Sequence, residues 1–498
     1  MPQDEPPRSR RPLPYWSIPH TMNSPAYSAD SAAHPAKPVD SDRVSLGEKV
    51  ALGAGGLPLF LGLAAVGSFA TPFYQMTLKL DPVWLAAALT VPRFLDAFID
   101  PLVGRFSDNF HSRFGRRRPL IAFGALVQAF AFAMIWMVPA TWGQAALTTW
   151  LVATQIVFYV GYSFFSVPFL ALQYEITPDY DERTRVSSFV GFFGKAGEMG
   201  YNYIFPLASS VLFVSAIAGV RTLGWIVGIL FLGLVAIIPA LFVRERYFRK
   251  TEQQRTVKLR EGVTAAFSSR AFTILVGLTL LQIIAGMFAS NLDRYILVYH
   301  LFGGNVALGE TWKGNLSLAY ALVGIASIYP VAWLAQRIGK TRTVALAFGL
   351  TLLGSVGKWV LFTPGNPWKI LLDPLLCGPV WIAINVLTPA MLADICDEDE
   401  LRGGLRREGV FGAIFSWIQK VGYSAAFFGA FLSLKMTGFD AALGGSQEPS
   451  TILRLRLILA LSTAAWAVCA IVLLRLYPLN RQRAHEIRAA LEARRGKV

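Results

Sequence analysis

The chain has 498 residues, of which 54% are hydrophobic and 15% are charged, and its mean hydropathy is +0.47. This composition excludes an ordinary soluble domain, and repeated apolar segments of about 20 residues indicate a polytopic helical membrane protein. The formal net charge of +15 does not indicate a nucleic-acid partner, because the basic residues are spread over the loops between the apolar segments.

The apolar segments begin after a polar N-terminal stretch. Residues 1–48 are rich in proline, serine and charge and have no apolar run, which is typical of a disordered tail and not of a signal peptide. Twelve spans are predicted after it, at about residues 50–75, 82–106, 119–139, 145–173, 187–216, 222–243, 271–301, 313–336, 342–362, 368–396, 409–434 and 453–477. We expect an N-terminal six-helix bundle (49–243), a central loop (244–270), a C-terminal six-helix bundle (271–477) and a basic tail (478–498).

The distribution of lysine and arginine predicts the orientation of this all-α protein. Most of these residues lie in the two tails and in the loops on the same side as the tails. The positive-inside rule therefore predicts a multi-pass protein of the cell membrane with both termini in the cytoplasm. The three cysteines, Cys377, Cys396 and Cys469, lie within or at the ends of apolar segments and form no disulfide or metal-binding pattern.

Two carboxylates lie inside the second predicted span. Asp96 and Asp100 are four residues apart, so on a helix they share one face and can offer oxygens to one small cation. A charged side chain inside a membrane costs a few kcal/mol, so these carboxylates need a neutralising partner. We interpret the pair as a site for a cation or a proton. Arg93, three residues before Asp96, is expected to take part in coupling at this site. The alternative is a buried salt bridge between Arg93 and the carboxylates without such a function.

Two distant stretches repeat one pattern, one in each half of the chain. Each runs from a proline through acidic and arginine-rich residues into a helix that carries Lys-x-Gly, which makes Lys195 and Lys420 pseudo-symmetric partners. The charged loop ends on the tail side are expected to pair and to close that side in one of two conformations. The alternative is solvated charge without a gating role. The predicted gate residues are Asp108, Arg117, Arg183, Arg185, Asp394 and Arg407.

Four stretches, DAFIDPLVGRFSDN, RFGRRRP, PFLALQYEITPDYDERTR and RREGVFGAIFSWIQKVG, resemble in order and spacing the glycoside–pentoside–hexuronide:cation symporter family of the major facilitator superfamily. The family includes melibiose permease, and the sodium-dependent lysophosphatidylcholine symporters of animals are its relatives. The resemblance covers about residues 49–477 and implies two six-helix bundles around a central cavity. It also implies that Asp96 and Asp100 bind the coupling cation, that the hydroxyl of Ser163 contributes to the site, and that Lys420 lies near both cation and solute.

The residues that hold the sugar in melibiose-type carriers differ here. Their acidic positions on helices one and four match Phe60 and Ser166, which are expected to contact the solute here, and their stacking tryptophan matches Leu170. Their helix-five arginine matches Phe193, although Lys195 is a substitute after a small shift. The resemblance therefore implies cation coupling without the galactoside contacts, and it leaves open another sugar, a glycosylated compound or a more apolar solute.

Other polar residues in the spans have two readings each. Lys195 and Glu198 share a helix face and either neutralise each other or contact the solute. Trp381 and Asn385, four residues apart, either present a ring and an amide to the solute or pack in the core. Lys358, in a peripheral span, is expected to snorkel or to hydrogen-bond backbone.

No catalytic motif is visible, because the five histidines are scattered and no glycine-rich phosphate loop is present. We therefore expect a secondary transporter and not an enzyme, with no resident metal and no cofactor beyond a coupling Na⁺ or H⁺. The expected activity is symport of a small solute, a sugar or glycoside, by alternating access. The alternatives are transport of a lysophospholipid or other amphiphile, and a non-transporting sensor or scaffold. The expected partners are the solute, the cation and the lipid bilayer, without nucleic acid, and a monomer is expected.

Overall fold

The computed structural model describes residues 43–177, 180–245, 264, 266–403, 408–440 and 443–495. All regular secondary structure in these ranges is helical. The helices are α1 (Leu46–Thr77), α2 (Pro82–Asn109), α3 (Arg118–Ile135), α4 (Gln144–Glu175), α5 (Tyr180–Gly200, continued by short helical turns Tyr201–Tyr203 and Ile204–Ala208), α6 (Ala216–Phe242), α7 (Arg270–Leu301), α8 (Val306–Ile338), α9 (Lys340–Leu361), α10 (Pro367–Arg402), α11 (Glu408–Met436), α12 (Pro449–Arg475) and α13 (Arg481–Arg495).

Ten of these helices are long and apolar enough to cross a membrane, by their length and composition within the described ranges. The other two of the first twelve, α5 and α11, occupy the fifth and eleventh positions of the predicted order, so the number of twelve spans stays a prediction. Most helices begin and end near the expected bounds, but α5 and α8 begin at Tyr180 and Val306, each about two turns before the predicted start. The last helical turn of α5 ends at Ala208, about two turns before the predicted end. The N-terminal tail up to residue 42 and residues 246–263 of the central loop lie outside the described residues.

Local side-chain bonds define the beginnings of the first two helices. Ser45 and Glu48 form a capping box in which each side chain bonds the other residue's backbone N–H. The Asp81 carboxylate accepts a hydrogen bond of 2.8 Å from the N–H of Val83 and so caps α2. The Asp81 cap fixes the position along the chain at which α2, the helix with the two carboxylates, begins.

Two glycines allow α3 and α4 to pack with their backbones in contact. A Cβ on Gly124 would lie 2.3 Å from the backbone nitrogen of Phe165, and one on Gly161 would lie 2.6 Å from the nitrogen of Gln128. Small residues permit such close approach in membranes, where the gain comes from packing and not from exclusion of water. The contact anchors α4, which carries Ser163, against α3.

The helices form an N-terminal half, α1–α6, and a C-terminal half, α7–α12. The halves meet where α2 packs against α11 and where α5 packs against α8. We call the side with the start of α1 and the end of α12 the terminal side, and the opposite side the far side. On the far side, Tyr295 of α7 hydrogen-bonds Gln75 of α1, and Tyr203 donates a hydrogen bond of 2.8 Å to Asn315 of α8.

The buried core supports the same division. One hydrophobic cluster runs through the N-terminal half and continues into the far-side ends of the C-terminal half. The second cluster consists of residues of the C-terminal half together with Ala266 and with Ile487 and Leu491 of α13, which packs against α10. The apolar contact between the halves is therefore concentrated on the far side in this conformation.

Candidate functional site

The two carboxylates of α2 converge on one hydroxyl of α4. Ser163 Oγ lies 2.8 Å from Asp96 Oδ1 and 2.7 Å from Asp100 Oδ1, and its single proton can be donated to only one of them at a time. Ser163 is fully buried and Asp96 is 4% exposed. Three side-chain oxygens thus face one small volume, and oxygen is the ligand that hard cations such as Na⁺ take in proteins.

Lys420 of α11 reaches the same carboxylates from the other half of the protein. Its ammonium lies 3.1 Å from Asp96 Oδ2 and is also hydrogen-bonded to Asp100 Oδ2. The cluster formed by Asp96, Asp100, Ser163 and Lys420, here called the coupling cluster, carries two carboxylates and one ammonium. A cation that enters the cluster competes with the ammonium for the same oxygens.

Proline chemistry helps to explain how α2 holds the carboxylates in position. Pro92 has no N–H and so leaves the carbonyl of Ala88 without its usual helical partner. The buried side chain of Gln155 on α4 donates a hydrogen bond of 3.1 Å to that carbonyl. Because Gln155 is on the same helix as Ser163, this hydrogen bond also holds α4 next to the carboxylates.

Arg93 makes a second contact between the halves beside the coupling cluster. Its guanidinium carbon lies 5.4 Å from the centroid of the Tyr423 ring on α11, a cation–π geometry. Arg93 is buried and lines the central cavity. The expectation that Arg93 takes part in coupling stays a prediction.

A central cavity of about 330 Å³ lies between the halves. This volume is typical of sites for small organic molecules. Of the five predicted solute-binding residues, Phe60, Lys195, Trp381 and Asn385 line it, whereas Ser166 is buried in α4.

Two of the residues that line the cavity have clear neighbours. Lys195 forms an ion pair of 2.6 Å with Glu198 on the same helix, as one of the two readings of the sequence has it. The Phe60 ring packs edge-on against Tyr201, with 5.5 Å between the ring centroids. Tryptophan, tyrosine and phenylalanine side chains together make this wall suitable for stacking against an apolar or sugar face.

A second charged cluster, which the sequence did not predict, lies in the C-terminal half. Lys358 is buried and pairs with Asp293 of α7 at 3.2 Å and with Asp373 of α10 at 2.9 Å. The expectation that Lys358 snorkels or bonds backbone is therefore wrong. Tyr320 donates a hydrogen bond of 2.5 Å to Asp373 Oδ2, the same carboxylate oxygen that Lys358 contacts.

The same wall carries a further ion pair and a further lysine. Arg294 pairs with Glu310 of α8 at 2.9 Å, and both side chains are almost fully buried. Lys313, one turn after Glu310, is bonded to the Ser290 hydroxyl at 3.0 Å. Glu310 lies outside the eighth span predicted from the sequence, because that span begins at residue 313.

The predicted gate residues of the N-terminal half form a network on the terminal side. Arg117 lies 2.7 Å from Asp108 and 2.8 Å from Glu175, and it donates to Ser107 Oγ at 2.7 Å. Arg185 pairs with Glu182 at 3.3 Å. All these contacts join helices of the same half or lie within one helix.

Glu182 also ties α5 to the start of α1. Its carboxylate lies 2.6 Å from the Lys49 ammonium and accepts a hydrogen bond of 3.0 Å from the N–H of Val44. Burial disfavours its charged form, but these two partners outweigh burial and lower the pKa of Glu182 below its ordinary value. The Glu182 carboxylate is therefore charged at neutral pH.

In the C-terminal half, Asp394 of α10 pairs with Lys340 at the start of α9 at 2.6 Å. Arg183 and Arg407, the other two predicted gate residues, lie outside the residues whose side chains the structure describes. The gating role of the six residues stays a prediction.

The RFGRRRP motif has a structural explanation on this side. Gly115 has a φ of 109°, and a Cβ there would lie 2.6 Å from the Glu245 carboxylate. The backbone N–H groups of Arg116, Arg117 and Arg118 donate to Glu245 at 2.9, 2.8 and 3.0 Å. Glu245, which follows α6, thus caps the N-terminus of α3 and ties the two helices together.

We expect Glu245→Gln to lower the midpoint of thermal unfolding of the purified protein by a few degrees, because the neutral amide binds these N–H groups less well. Loss of charge-assisted hydrogen bonds corresponds to about 1–3 kcal/mol. Differential scanning fluorimetry checks this, with Glu486→Gln as the control, since the described contacts of exposed Glu486 are with the exposed side chains of Gln482 and Arg483 on the same helix, α13. Equal midpoints for the two variants would contradict the capping role.

Comparison with known proteins identifies the family. Residues 51–481 match the family described as MFS/sugar transport protein. The chain belongs to this family. It is a membrane transporter of the major facilitator superfamily and not an enzyme, and the resemblance carried by the sequence motifs is confirmed.

Full-length relatives agree with this assignment, and a solved structure shares the fold. An uncharacterized symporter of Synechocystis is 25% identical, covering 92% of this chain and 98% of that protein. The isoprimeverose transporter of Lactiplantibacillus pentosus is 22% identical, and the match covers 85% of this chain and 86% of that protein. The sodium-dependent lysophosphatidylcholine symporter 1 of Gallus gallus is 23% identical, and the match covers 93% of this chain and 92% of that protein. A bacterial homologue of the human lysosomal transporter Spinster, solved inward-facing and unoccupied, shares the fold with a TM-score of 0.63 at 12% identity. The match covers 89% of this chain and 97% of that chain.

Within the described residues, no group of three or more His, Cys, Asp or Glu side chains is arranged to hold a metal ion. The coupling cluster has two carboxylates and a hydroxyl, so a monovalent ion or a proton suits it better than a tightly held divalent metal.

Proposed function

We propose that the protein is a cation-coupled symporter that moves a small organic solute by alternating access. The observation that carries the proposal is the coupling cluster, in which a lysine of one half binds two carboxylates of the other half. Such a link responds to cation binding and joins the two bodies that must move. The family membership and the symporters among its relatives support the same activity.

The coupling follows from charge. Without a cation, Lys420 neutralises part of the negative charge of Asp96 and Asp100 and holds α11 against α2. Na⁺ or H⁺ at the carboxylates releases the lysine, and the α2–α11 contact then depends on the solute in the cavity. Movement between the two conformations is favoured only when cation and solute are both bound or both absent, which links solute passage to cation passage.

The contacts between the halves indicate which side of the carrier is closed in this conformation. The far-side contacts join the halves, while the ion pairs described on the terminal side lie within each half. With both termini in the cytoplasm, as the positive-inside rule favours, this arrangement corresponds to a carrier closed towards the outside. The predicted gate residues would exchange partners when the terminal side closes.

The solute class has two candidates among the relatives. A relative of this chain is an isoprimeverose transporter, and the cavity has aromatic rings and amide side chains that suit a sugar or glycoside. Another relative is a lysophosphatidylcholine symporter, and the replacement of sugar-binding acids by Phe60 and Ser166 favours an amphiphile as the second candidate.

Solute counterflow in proteoliposomes tests the proposal. Liposomes preloaded with each member of a panel of sugars, glycosides and lysophospholipids should take up the labelled form of one class, and an inward Na⁺ or H⁺ gradient should raise its accumulation. A panel in which nothing is exchanged, or in which both gradients leave the uptake of the exchanged solute unchanged, would contradict cation-coupled symport of these classes.

A further inference from the structure

The far-side end of α12 carries two arginines that the transport scheme does not use. Arg454 and Arg456 interrupt the apolar run of residues 452–461, on the side where the positive-inside rule predicts few basic residues. Arg454 donates a hydrogen bond of 3.3 Å to the carbonyl of Thr437 at the end of α11, which gives it a role in closing that helix. Arg456 makes no such contact with a helix end of its own neighbour α11.

Arg456 lies at the outer surface, where α12 packs against α9. Its guanidinium carbon lies 4.2 Å from the centroid of the Trp359 ring, and its Nη2 donates a hydrogen bond of 2.8 Å to the Trp359 carbonyl near the end of α9. Trp359 is exposed, as are Leu453 and Leu457 beside Arg456 on α12. Exposed leucines with a tryptophan near a helix end are typical of the surface that meets the lipid headgroups.

The charge of Arg456 has no negative partner in the part of the chain that the structure describes. Its described contacts are with the ring and the carbonyl of Trp359, and no carboxylate is among them. Its Nε is buried without a hydrogen-bond partner. Charge at the edge of a bilayer is costly unless it is balanced, and long basic side chains in this position extend towards the headgroups.

His300 places a second nitrogen beside this arginine. It lies in the last turn of α7, which packs against α12, and the charge of Arg456 acts on its ring. The Nε2 of His300 is also buried without a hydrogen-bond partner among the described residues. Buried nitrogens without a partner are rare in folded proteins, and two that lie close together indicate a shared acceptor.

We propose that Arg456, His300 and Trp359 form a binding site for the phosphate group of a phospholipid in the far-side leaflet. Arginine forms strong charge-assisted hydrogen bonds with phosphate, and the Trp359 ring holds the plane of the guanidinium. The exposed Leu453 and Leu457 offer an apolar surface to the acyl chains. The bound lipid links α7, α9 and α12 from outside. It is a component of the membrane and not the transported solute, so this site does not depend on cation-coupled symport.

Native mass spectrometry of the purified full-length protein tests the site. The protein in detergent is titrated with dioleoylphosphatidylglycerol and, separately, with dioleoylglycerol, which has the same acyl chains but no phosphate. We expect the first phosphatidylglycerol to bind about tenfold more tightly than dioleoylglycerol, the range expected for a charge-assisted hydrogen bond. Millimolar inorganic phosphate should not displace the lipid, because free phosphate lacks the acyl chains.

Substitutions assign the binding to this site. Arg456→Gln should weaken the first phosphatidylglycerol about tenfold and leave dioleoylglycerol unchanged, and His300→Phe should weaken it about fivefold. The matched control is Arg221→Gln. Arg221 of α6 donates a hydrogen bond of 2.7 Å to the carbonyl of Val138, as Arg456 does to that of Trp359, but its described contacts include no aromatic ring. Arg221→Gln should leave the affinity for phosphatidylglycerol unchanged.

Three results would overturn the inference. They are equal affinities of the wild type for the two lipids, equal effects of Arg456→Gln and Arg221→Gln on phosphatidylglycerol, and displacement of phosphatidylglycerol by inorganic phosphate, which would make the ligand a free anion. If Arg456→Gln does not fold, as judged by size exclusion, His300→Phe decides in its place, and an unchanged affinity for phosphatidylglycerol in that variant would overturn the site.

Discussion

Asp100→Asn is expected to abolish solute accumulation driven by a cation gradient, with uptake reduced to equilibration across the membrane, and Asp96→Asn is expected to do the same. Either amide removes one negative charge from a cluster that holds two carboxylates and the Lys420 ammonium. The remaining carboxylate is then balanced by the lysine alone, so a cation gains little by entering. Uptake by the purified variants in proteoliposomes under an inward Na⁺ or H⁺ gradient measures the effect.

The chain offers a matched control for this substitution. Asp81→Asn makes the same chemical change on the same helix, and asparagine caps a helix as well as aspartate does. Asp81→Asn should therefore transport like the wild type, and the elution profile on size exclusion shows whether each variant is folded. Undiminished accumulation by both Asp96→Asn and Asp100→Asn would remove the cation site.

Lys420→Ala is expected to abolish coupled uptake while solute exchange is partly retained. The ammonium is bound to both carboxylates across the two halves. Removing one partner of a fully buried ion pair costs about 3–5 kcal/mol, which is an upper bound for this partly buried cluster. The carboxylates left without it should bind the cation more tightly and release it less readily. Gradient-driven uptake, exchange and the cation concentration for half-maximal exchange measure the three effects.

The control for this variant is Lys435→Ala, which removes an exposed lysine from the same helix and should leave all three quantities unchanged. A double variant, Lys420→Ala with Asp100→Asn, tests the pairing further, because partners in one ion pair give effects that do not add. If uptake by Lys420→Ala depends on the cation gradient as uptake by the wild type does, Lys420 is a structural lysine. The proposed competition between Lys420 and the cation is then contradicted.

The coupling cluster was accessible from the sequence because its parts carry local signals. Asp96 and Asp100 are one helical turn apart in an apolar run, where charge is rare. Lys420 stands in a stretch that repeats the pattern around Lys195. Family resemblance then supplied Ser163, which no spacing would have singled out. The structure brings these four residues together at hydrogen-bonding distances.

The second charged cluster was not accessible in the same way. Its members come from four helices, and none of the ion pairs that link Lys358 to Asp293 and Asp373 has a fixed spacing in the sequence. Asp293 and Arg294 are neighbours that point in different directions, so each finds its partner on another helix. An embedded charge is visible in a sequence, but its partner depends on how the helices pack.

The most direct test of cation-coupled symport uses a solute gradient to drive the cation, instead of a cation gradient to drive the solute. Proteoliposomes are prepared without any cation gradient, a steep inward gradient of the transported solute is imposed, and the movement of ²²Na⁺ and of protons is followed. Symport through the coupling cluster predicts that one of these cations enters with the solute and accumulates inside above its external concentration, and that Asp100→Asn stops this entry. Solute uptake that moves neither cation, or moves one in the opposite direction, would contradict it.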